Sequence, residues 1–212
     1  MMSKTLCLLI LFVCLQSCSQ KQKEAPAHNV LVGGGCQGCE LIYEQMPAKM
    51  NWSDTTMGWA EEEKKLILSG VVYKANGKTP ASGIALYCWH TDDQGLYDAG
   101  ELDADEATQH GRLRAWMKTD ELGRYELVTN MPAPYPNRVI PAHIHIVVLE
   151  PGINEYYIDN VEFDSDTLLT PAIRASRENR GGSGFVEIFE KDAVAYTKRN
   201  IILGKNIPNY PY

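Results

Sequence analysis

Short apolar or alternating runs recur from residue 66 onward, and their spacing limits the fold more than any other feature of the chain. The breaks between them include Asn76-Gly77, Asp93-Gln94-Gly95 and Leu122-Gly123, which are turn-forming sequences. Strands of this length at this spacing, with few helical stretches, predict a mainly β protein, a β-sandwich over residues 66–212. The predicted strand runs are 66–73, 83–89, 113–119, 124–129, 142–149, 155–163, 184–190 and 196–203.

Composition excludes several classes of protein. The 212 residues carry 20 basic and 27 acidic side chains, for a formal net charge of −7, and 44% of them are hydrophobic. A nucleic-acid-binding protein would show a basic stripe, so no nucleic-acid partner is expected. A mean hydropathy of −0.27 excludes a multispanning membrane protein.

The start of the chain has the layout of a secretory signal peptide. Lys4 precedes an apolar run over 6–15, and Leu15-Gln16-Ser17-Cys18 resembles the lipobox of bacterial lipoproteins. We therefore predict a lipoprotein signal peptide over residues 1–17 and lipidation of Cys18. This makes the protein an exported, membrane-anchored lipoprotein of the bacterial cell envelope. The alternative is an ordinary signal peptide that is cleaved elsewhere.

Two further segments precede the sandwich. Residues 18–35 are polar, end in three glycines and predict a flexible tether, and residues 36–65 form an N-terminal arm. The arm opens with Cys36-Gln37-Gly38-Cys39. A local disulfide between Cys36 and Cys39 is the preferred interpretation in an oxidising compartment, and free or redox-active thiols are the alternative. Cys88 lies in an apolar run and is expected to be a buried small hydrophobe.

A pair of histidines is the sharpest local feature. His143 and His145 stand two residues apart in a predicted strand, so both imidazoles lie on one face of the sheet. Two neighbouring imidazoles can supply half of the ligands of a metal site. The alternative without a metal is one hydrogen-bonded core histidine beside one exposed histidine. No further histidine, cysteine or carboxylate is obviously placed to complete a site. Tyr97, just past a turn, and Tyr135, in a proline-rich loop, are candidates that could equally be packing residues.

The order of several blocks resembles the intradiol ring-cleavage dioxygenases, the group of the protocatechuate and catechol enzymes. The blocks are Gly70-Val71-Val72 through Trp89, Gly95-Leu96-Tyr97-Asp98, Lys118 through Tyr125, Met131 through Pro136, and Pro141-Ala142-His143-Ile144-His145.

The resemblance implies a non-haem Fe(III) cofactor held by Tyr97, Tyr135, His143 and His145. The implied partners are a small aromatic diol and O2, and the implied reaction cleaves a catechol-type ring between its hydroxylated carbons to a muconate-type diacid. Tyr135 would be the ligand that the diol displaces. Phenolate oxygens are hard anionic donors that suit ferric iron, which supports the same assignment.

One position departs from the pattern of that family. Enzymes of this group usually carry an arginine three residues before the first histidine, and Ile140 stands there in this chain. Arg138 precedes Ile140 by two residues and would share its face in an extended segment, so it is the candidate catalytic substitute. Arg112 and Arg114 are further candidates. A solvated Arg138 with no catalytic role is the alternative.

Two other functions stay open at this point. Residues 70–125 also resemble transthyretin or carboxypeptidase-regulatory modules, which are non-catalytic β-sandwich surface domains. An iron-binding member of the dioxygenase group that has lost its oxygenase activity is the other hypothesis. The sequence is compatible with an oligomer and does not specify one.

Overall fold

The computed structural model describes residues 31–61, 64–99 and 109–212. The predicted signal peptide, Cys18 and most of the predicted tether lie outside these residues. Twelve strands occur in the described residues, and the only elements besides them are the 3-10 helices Cys39–Tyr43 and Met57–Ala60 and one short helix, α1 (Pro171–Ala175). In these ranges no helix is both long and apolar enough to cross a membrane. The strands are β1 (Ser53–Thr55), β2 (Lys65–Tyr73), β3 (Ala85–His90), β4 (Arg114–Lys118), β5 (Arg124–Asn130), β6 (His143–Leu149), β7 (Tyr156–Tyr157), β8 (Val161–Phe163), β9 (Phe185–Val186), β10 (Phe189–Lys191), β11 (Val194–Lys198) and β12 (Ile201–Ile202).

The strands form two sheets, which confirms the predicted β-sandwich. The first sheet runs β1-β5-β2-β11-β10, and β12 also pairs with β2. The second sheet runs β4-β3-β6-β8-β9, and β7 also pairs with β6. The last two apolar runs and the run over 155–163 each contain two short strands rather than one. The sequence pattern missed β1, which has only three residues and lies in the arm.

The sandwich core lies between the inner faces of the two sheets. In β2 buried and half-buried residues alternate, and Leu66, Leu68 and Val72 point inward with no exposed surface. They pack in one cluster with Leu86 of β3 and Ile146 of β6. This alternation is the pattern expected for a strand with one face against a core.

The second sheet is buried on its outer face as well. All six residues of β3 are buried, so that Leu86 and Cys88 face the sandwich core while Tyr87 and Trp89 face the other way. The outer residues join a separate cluster, which we call the outer cluster. It consists of Cys39, Ile42, Tyr87, Trp89, Trp116 and Val147.

The N-terminal arm covers the outer cluster. Cys39 and Ile42 of the arm pack onto the aromatic rings, and Trp116 Nε1 donates a 2.7 Å hydrogen bond to the carbonyl oxygen of Ile42. A disulfide bond joins Cys36 to Cys39 and closes the turn that begins the arm. Cys88 is a buried free thiol.

The described end of the predicted tether differs from the expectation of a flexible link. Val32 is buried in the sandwich core cluster, and its backbone N–H donates to Asn154 Oδ1 at 3.0 Å. The next residue, Gly33, donates its N–H to the carbonyl oxygen of Pro208 at 2.8 Å. An apolar side chain within a polar segment thus fixes residues 31–33 to the sandwich.

Replacement of a core leucine tests the role of the inter-sheet cluster. Leu68→Ala leaves a cavity between the sheets and should reduce the free energy of unfolding by about 2–5 kcal/mol. The matched control is Leu122→Ala, because Leu122 is 58% exposed in a turn and its loss should cost under about 0.5 kcal/mol. Urea unfolding monitored by tryptophan fluorescence measures both. Similar losses in the two variants would contradict the assignment of the core.

Candidate active site

Strand β6 places His143 and His145 on the outer face of the second sheet. The neighbouring residues Ile144 and Ile146 point into the sandwich core, so the two imidazoles point away from it. The register pairs His145 with Trp89 of β3 and His143 with Glu162 of β8. The Trp89 and His145 rings stack with centroids 4.5 Å apart, as cross-strand partners on one face can.

Two loops bring the tyrosines to the histidines. Tyr97 follows the turn after β3, in which Asp92 Oδ1 accepts hydrogen bonds from the backbone of Gln94 and Leu96 at 2.9 Å. Tyr135 lies in the loop between β5 and β6. The two loops are bonded together, because Thr91 Oγ1 donates to the carbonyl oxygen of Ala133 at 2.7 Å and the Ala133 N–H donates to that of Asp92 at 3.0 Å.

The four side chains converge on one point. The Tyr97 hydroxyl lies 2.7 Å from the Tyr135 hydroxyl and 3.0 Å from His145 Nε2. His143 Nε2 lies 3.1 Å from His145 Nε2 and 3.4 Å from the Tyr135 hydroxyl. The structure therefore brings together all four residues that the resemblance named, from one strand and two separate loops.

His143 presents a lone pair to this point. His143 Nδ1 lies 2.7 Å from the carbonyl oxygen of Pro141, which can only accept, so Nδ1 carries the proton and Nε2 is the acceptor. Asn160 lines the same cavity as the His145 ring. Burial lowers the pKa of both imidazoles, and the proximity of His143 lowers that of His145 further. Both rings are therefore neutral at pH 7.

The donor set fits a metal ion that prefers oxygen and nitrogen. Ligands about 2.0–2.2 Å from an ion lie roughly 3 Å from one another when they subtend right angles, which is close to the separations found here. Burial raises the pKa of Tyr97, and Tyr135 adds to the effect, so without a cation Tyr97 stays a neutral phenol. In the described ranges no group of three or more His, Cys, Asp or Glu is placed to hold a metal, so the tyrosines are needed to complete this site.

An aromatic stack supports the His145 ring from behind. Trp89 lies between His145 and His110, and the Trp89 and His110 rings are parallel within 7° at 3.9 Å. His110 Nδ1 and the Tyr87 hydroxyl lie 3.0 Å apart, which fixes the far end of the stack. The stack rests on the outer cluster, so the arm that covers this cluster also supports the site.

An open cavity of about 670 Å³ adjoins the four donors. Tyr135, His143 and His145 line it, whereas Tyr97 does not. Its walls come from four parts of the chain. They are the disulfide turn (Cys36, Gln37), the loop before β6 (Val139, Ile140, Pro141), the segment around β7 (Tyr157, Ile158, Asp159, Asn160) and the segment at α1 (Ile173, Ser176, Arg177, Glu178).

The arginines that the sequence offered as substitutes do not line this cavity, although Ile140 does. Arg138 is exposed and has a positive φ of 53°, at the end of a turn in which its N–H donates to the carbonyl oxygen of Tyr135. Arg112 binds Glu61 and Asp98. Arg114 pairs with Glu44 at 3.7 Å. The catalytic role of Arg138 thus stays a prediction from the sequence that its position does not favour.

Sequence reasoning missed three residues near the site. Arg177 lines the cavity, Glu162 accepts hydrogen bonds from Arg177, and the Trp89 ring stacks on the His145 ring. Glu162 gave a signal, since it is a carboxylate between the apolar Val161 and Phe163 of a strand, and such a buried charge requires a partner. Arg177 gave none, because it lies in an irregular segment after α1 whose path the sequence does not specify.

The fold and the donor set together define a β-sandwich protein with a histidine and tyrosine centre in an open cavity. A model of the family described as dioxygenase matches residues 42–181, which is more than half of the chain. The chain therefore belongs to this dioxygenase family.

Curated relatives include enzymes named for catechols. Catechol 1,2-dioxygenase 1 of Acinetobacter lwoffii is 35% identical over 75 residues, covering 35% of this chain and 23% of the relative. Chlorocatechol 1,2-dioxygenase of Pseudomonas sp. (strain P51) is 27% identical over 146 residues, covering 58% of this chain and 56% of the relative. The chain thus spans little more than half the length of the second relative and less of the first.

Solved structures show the same fold. The dioxygenase domain of a carbohydrate-binding fusion from Streptomyces sp. SirexAA-E superposes with a TM-score of 0.54 at 18% identity, covering 74% of this chain and 90% of that one. Catechol 1,2-dioxygenase from Acinetobacter sp. ADP1 superposes with a TM-score of 0.53 at 20% identity, covering 74% of this chain and 59% of that one. At these identities the comparison establishes the fold alone.

A glycine substitution tests the contact between the two tyrosine loops. A Cβ on Gly95, whose φ is +78°, would lie 2.1 Å from the carbonyl oxygen of Pro134, the residue before Tyr135. Gly95→Ala should therefore force the loops apart and lower the free energy of unfolding by more than the roughly 1 kcal/mol that a positive φ alone costs.

The control is Gly152→Ala, since Gly152 has a φ of +81° but no atom within 4 Å of the added Cβ. Urea unfolding of both variants separates the backbone cost from the clash. Equal losses of stability would show that the close approach of the loops is not constraining.

Proposed function

We propose that this chain is a non-haem Fe(III) intradiol dioxygenase that opens the ring of a catechol-type diol between its two hydroxylated carbons. The observation that carries the proposal is the convergence of the Tyr97, Tyr135, His143 and His145 donor atoms within 2.7–3.4 Å of their neighbours. Membership in the dioxygenase family and the names of the catechol relatives support the same chemistry.

The donor set suits ferric iron by charge as well as by element. Two phenolates and two neutral imidazoles give two negative charges against three positive ones, and a hard trication favours phenolate oxygen. Tyr97 loses its proton only when a cation is present, because burial raises the pKa of this phenol. When bound, the iron would act as a Lewis acid that orients the diol and makes it reactive toward O2.

Tyr135 and Tyr97 have different places in this scheme. Tyr135 lines the cavity, so as a metal-bound phenolate its oxygen could accept a proton from an incoming diol. Tyr97 does not reach the cavity and hydrogen-bonds to both Tyr135 and His145, so it holds the donor set in place. The cavity walls orient the ring. In the proposed reaction both atoms of O2 are incorporated, and a catechol becomes a muconate-type diacid with no other reactant.

The non-catalytic surface module explains the structure less well. Such a module has no reason to direct two tyrosines and two histidines at one point beside an open cavity. A family member that binds iron without oxygenase activity is favoured by a specific observation, since apolar Ile140 lines the cavity where the family usually has an arginine.

Export as an envelope lipoprotein anchored through Cys18 also belongs to the proposal. The disulfide between Cys36 and Cys39 supports it, because such bonds persist mainly in oxidising compartments. Metabolic labelling with a fatty acid, with Cys18→Ala as the control, tests the anchor.

Iron loading tests the metal site. The purified protein, reconstituted with Fe(III), should bind one iron per chain and turn red-brown from tyrosinate-to-iron charge transfer. Tyr135→Phe should shift this absorption, and His143→Ala should lose iron. Tyr43→Phe is the control, because Tyr43 is 49% exposed and hydrogen-bonds to Glu155 away from the cavity. A colourless, iron-free protein after reconstitution would contradict the proposal.

Oxygen uptake separates the enzyme from an inactive relative. With catechol under air, the iron-loaded protein should consume one O2 per diol and form a muconate, which an oxygen electrode and ultraviolet absorption measure. A colour change on addition of catechol without oxygen uptake would identify an iron-binding protein that lacks the activity.

A further inference from the structure

The cavity is charged unevenly. Its acidic side chains are Asp159 and Glu178, and Arg177 is the one arginine or lysine among the described residues that line it. Nothing else in these walls can offset the negative charge of a ligand that enters as an anion. Because an unpaired charge in a partly buried site is costly, Arg177 is the side chain of these walls that can add to the positive charge of a bound iron and stabilise an anionic ligand.

Glu162 holds the Arg177 guanidinium with two bonds. Arg177 Nε donates to Glu162 Oε2 at 2.9 Å, and Nη2 donates to Oε1 at 2.5 Å, while the Glu162 side chain is only 2% exposed. This fork fixes the plane of the guanidinium. Among the contacts of the described residues Nη1 has no hydrogen-bond partner, so it can donate to a ligand.

The strand register places this pair beside the donor set. Glu162 of β8 pairs with His143 of β6, and directly opposed residues share a face of the sheet. Arg177 and His143 also line the same cavity. The guanidinium is thus held next to the site by a carboxylate on the adjacent strand.

The geometry points to Arg177 as the residue that binds the anionic oxygen of the diol, in the place that the sequence had assigned to Arg138. This inference rests on the proposed function, which supplies the anion. Arg177 comes from the segment after α1 and approaches from the β8 side of the site, whereas Arg138 lies exposed outside the cavity.

Binding of catechol to the iron-loaded protein without oxygen tests this role separately from turnover. Arg177→Gln should weaken catechol binding roughly 10- to 100-fold, the value of a hydrogen bond to a charged group, and should leave the iron content unchanged. The catechol affinity of Arg177→Lys should lie between those of the unchanged protein and Arg177→Gln, because an ammonium keeps the charge but cannot form the two-bond contact with Glu162. Isothermal titration calorimetry under argon measures the dissociation constants.

The matched control is Arg174→Gln. Arg174 is on α1, three residues from Arg177, and pairs with Asp164 outside the cavity, so its loss should change catechol affinity less than twofold. In Arg177→Ala, added guanidinium ion should restore part of the affinity, which a purely structural role would not allow.

The outcomes separate the two proposals. Failure of the unchanged protein to take up iron or to bind catechol would overturn the proposed function. Normal binding in that protein together with unchanged affinity in the Arg177 variants would overturn the role of Arg177 alone. A loss in Arg138→Gln without a loss in Arg177→Gln would return the role to Arg138.

Discussion

Burial of the second sheet on both faces is the constraint on which the site depends. Strand β3 has no exposed residue, so its outer aromatic side chains need a cover that the first sheet cannot provide. The N-terminal arm supplies this cover by packing Cys39 and Ile42 onto Tyr87 and Trp116. The disulfide turn of the arm, Cys36 and Gln37, forms one wall of the open cavity that His143 and His145 line. The site thus lies in a cavity beside a face that is otherwise packed as a core.

Bonds between irregular segments give the site its rigidity. Tyr97 and Tyr135 lie on two loops rather than on strands, and the two loops contact each other. Thr91 hydrogen-bonds to Ala133, and Gly95 closely approaches Pro134. The histidines instead take their direction from β6 and their support from the stack on Trp89. Such double support is what holds a ligand set ready before a cation is present, since each side chain has little freedom left to lose.

Local periodicity predicted the strands and the histidine pair, since both follow from the two-residue repeat of a β-strand. The alternation over 66–73 matches β2 within one residue, and the period placed His143 and His145 on one face. Periodicity could not place Tyr97 and Tyr135, and the sequence reached them only through resemblance to a family. It also missed β1 and the buried Val32, because their pairing and packing are set by residues far along the chain.

The contrast between Ile140 and Arg177 shows why a missing charge at one sequence position is weak evidence about a site. The electrostatic potential in a cavity depends on where a charge lies in space. The field of a cation in a poorly solvated site does not depend on which strand carries that cation. The register of β8 against β6 sets Glu162 beside His143, and Glu162 holds Arg177, which comes from the segment after α1. The cavity that Ile140 lines thus still has a positively charged side chain in its wall, that of Arg177.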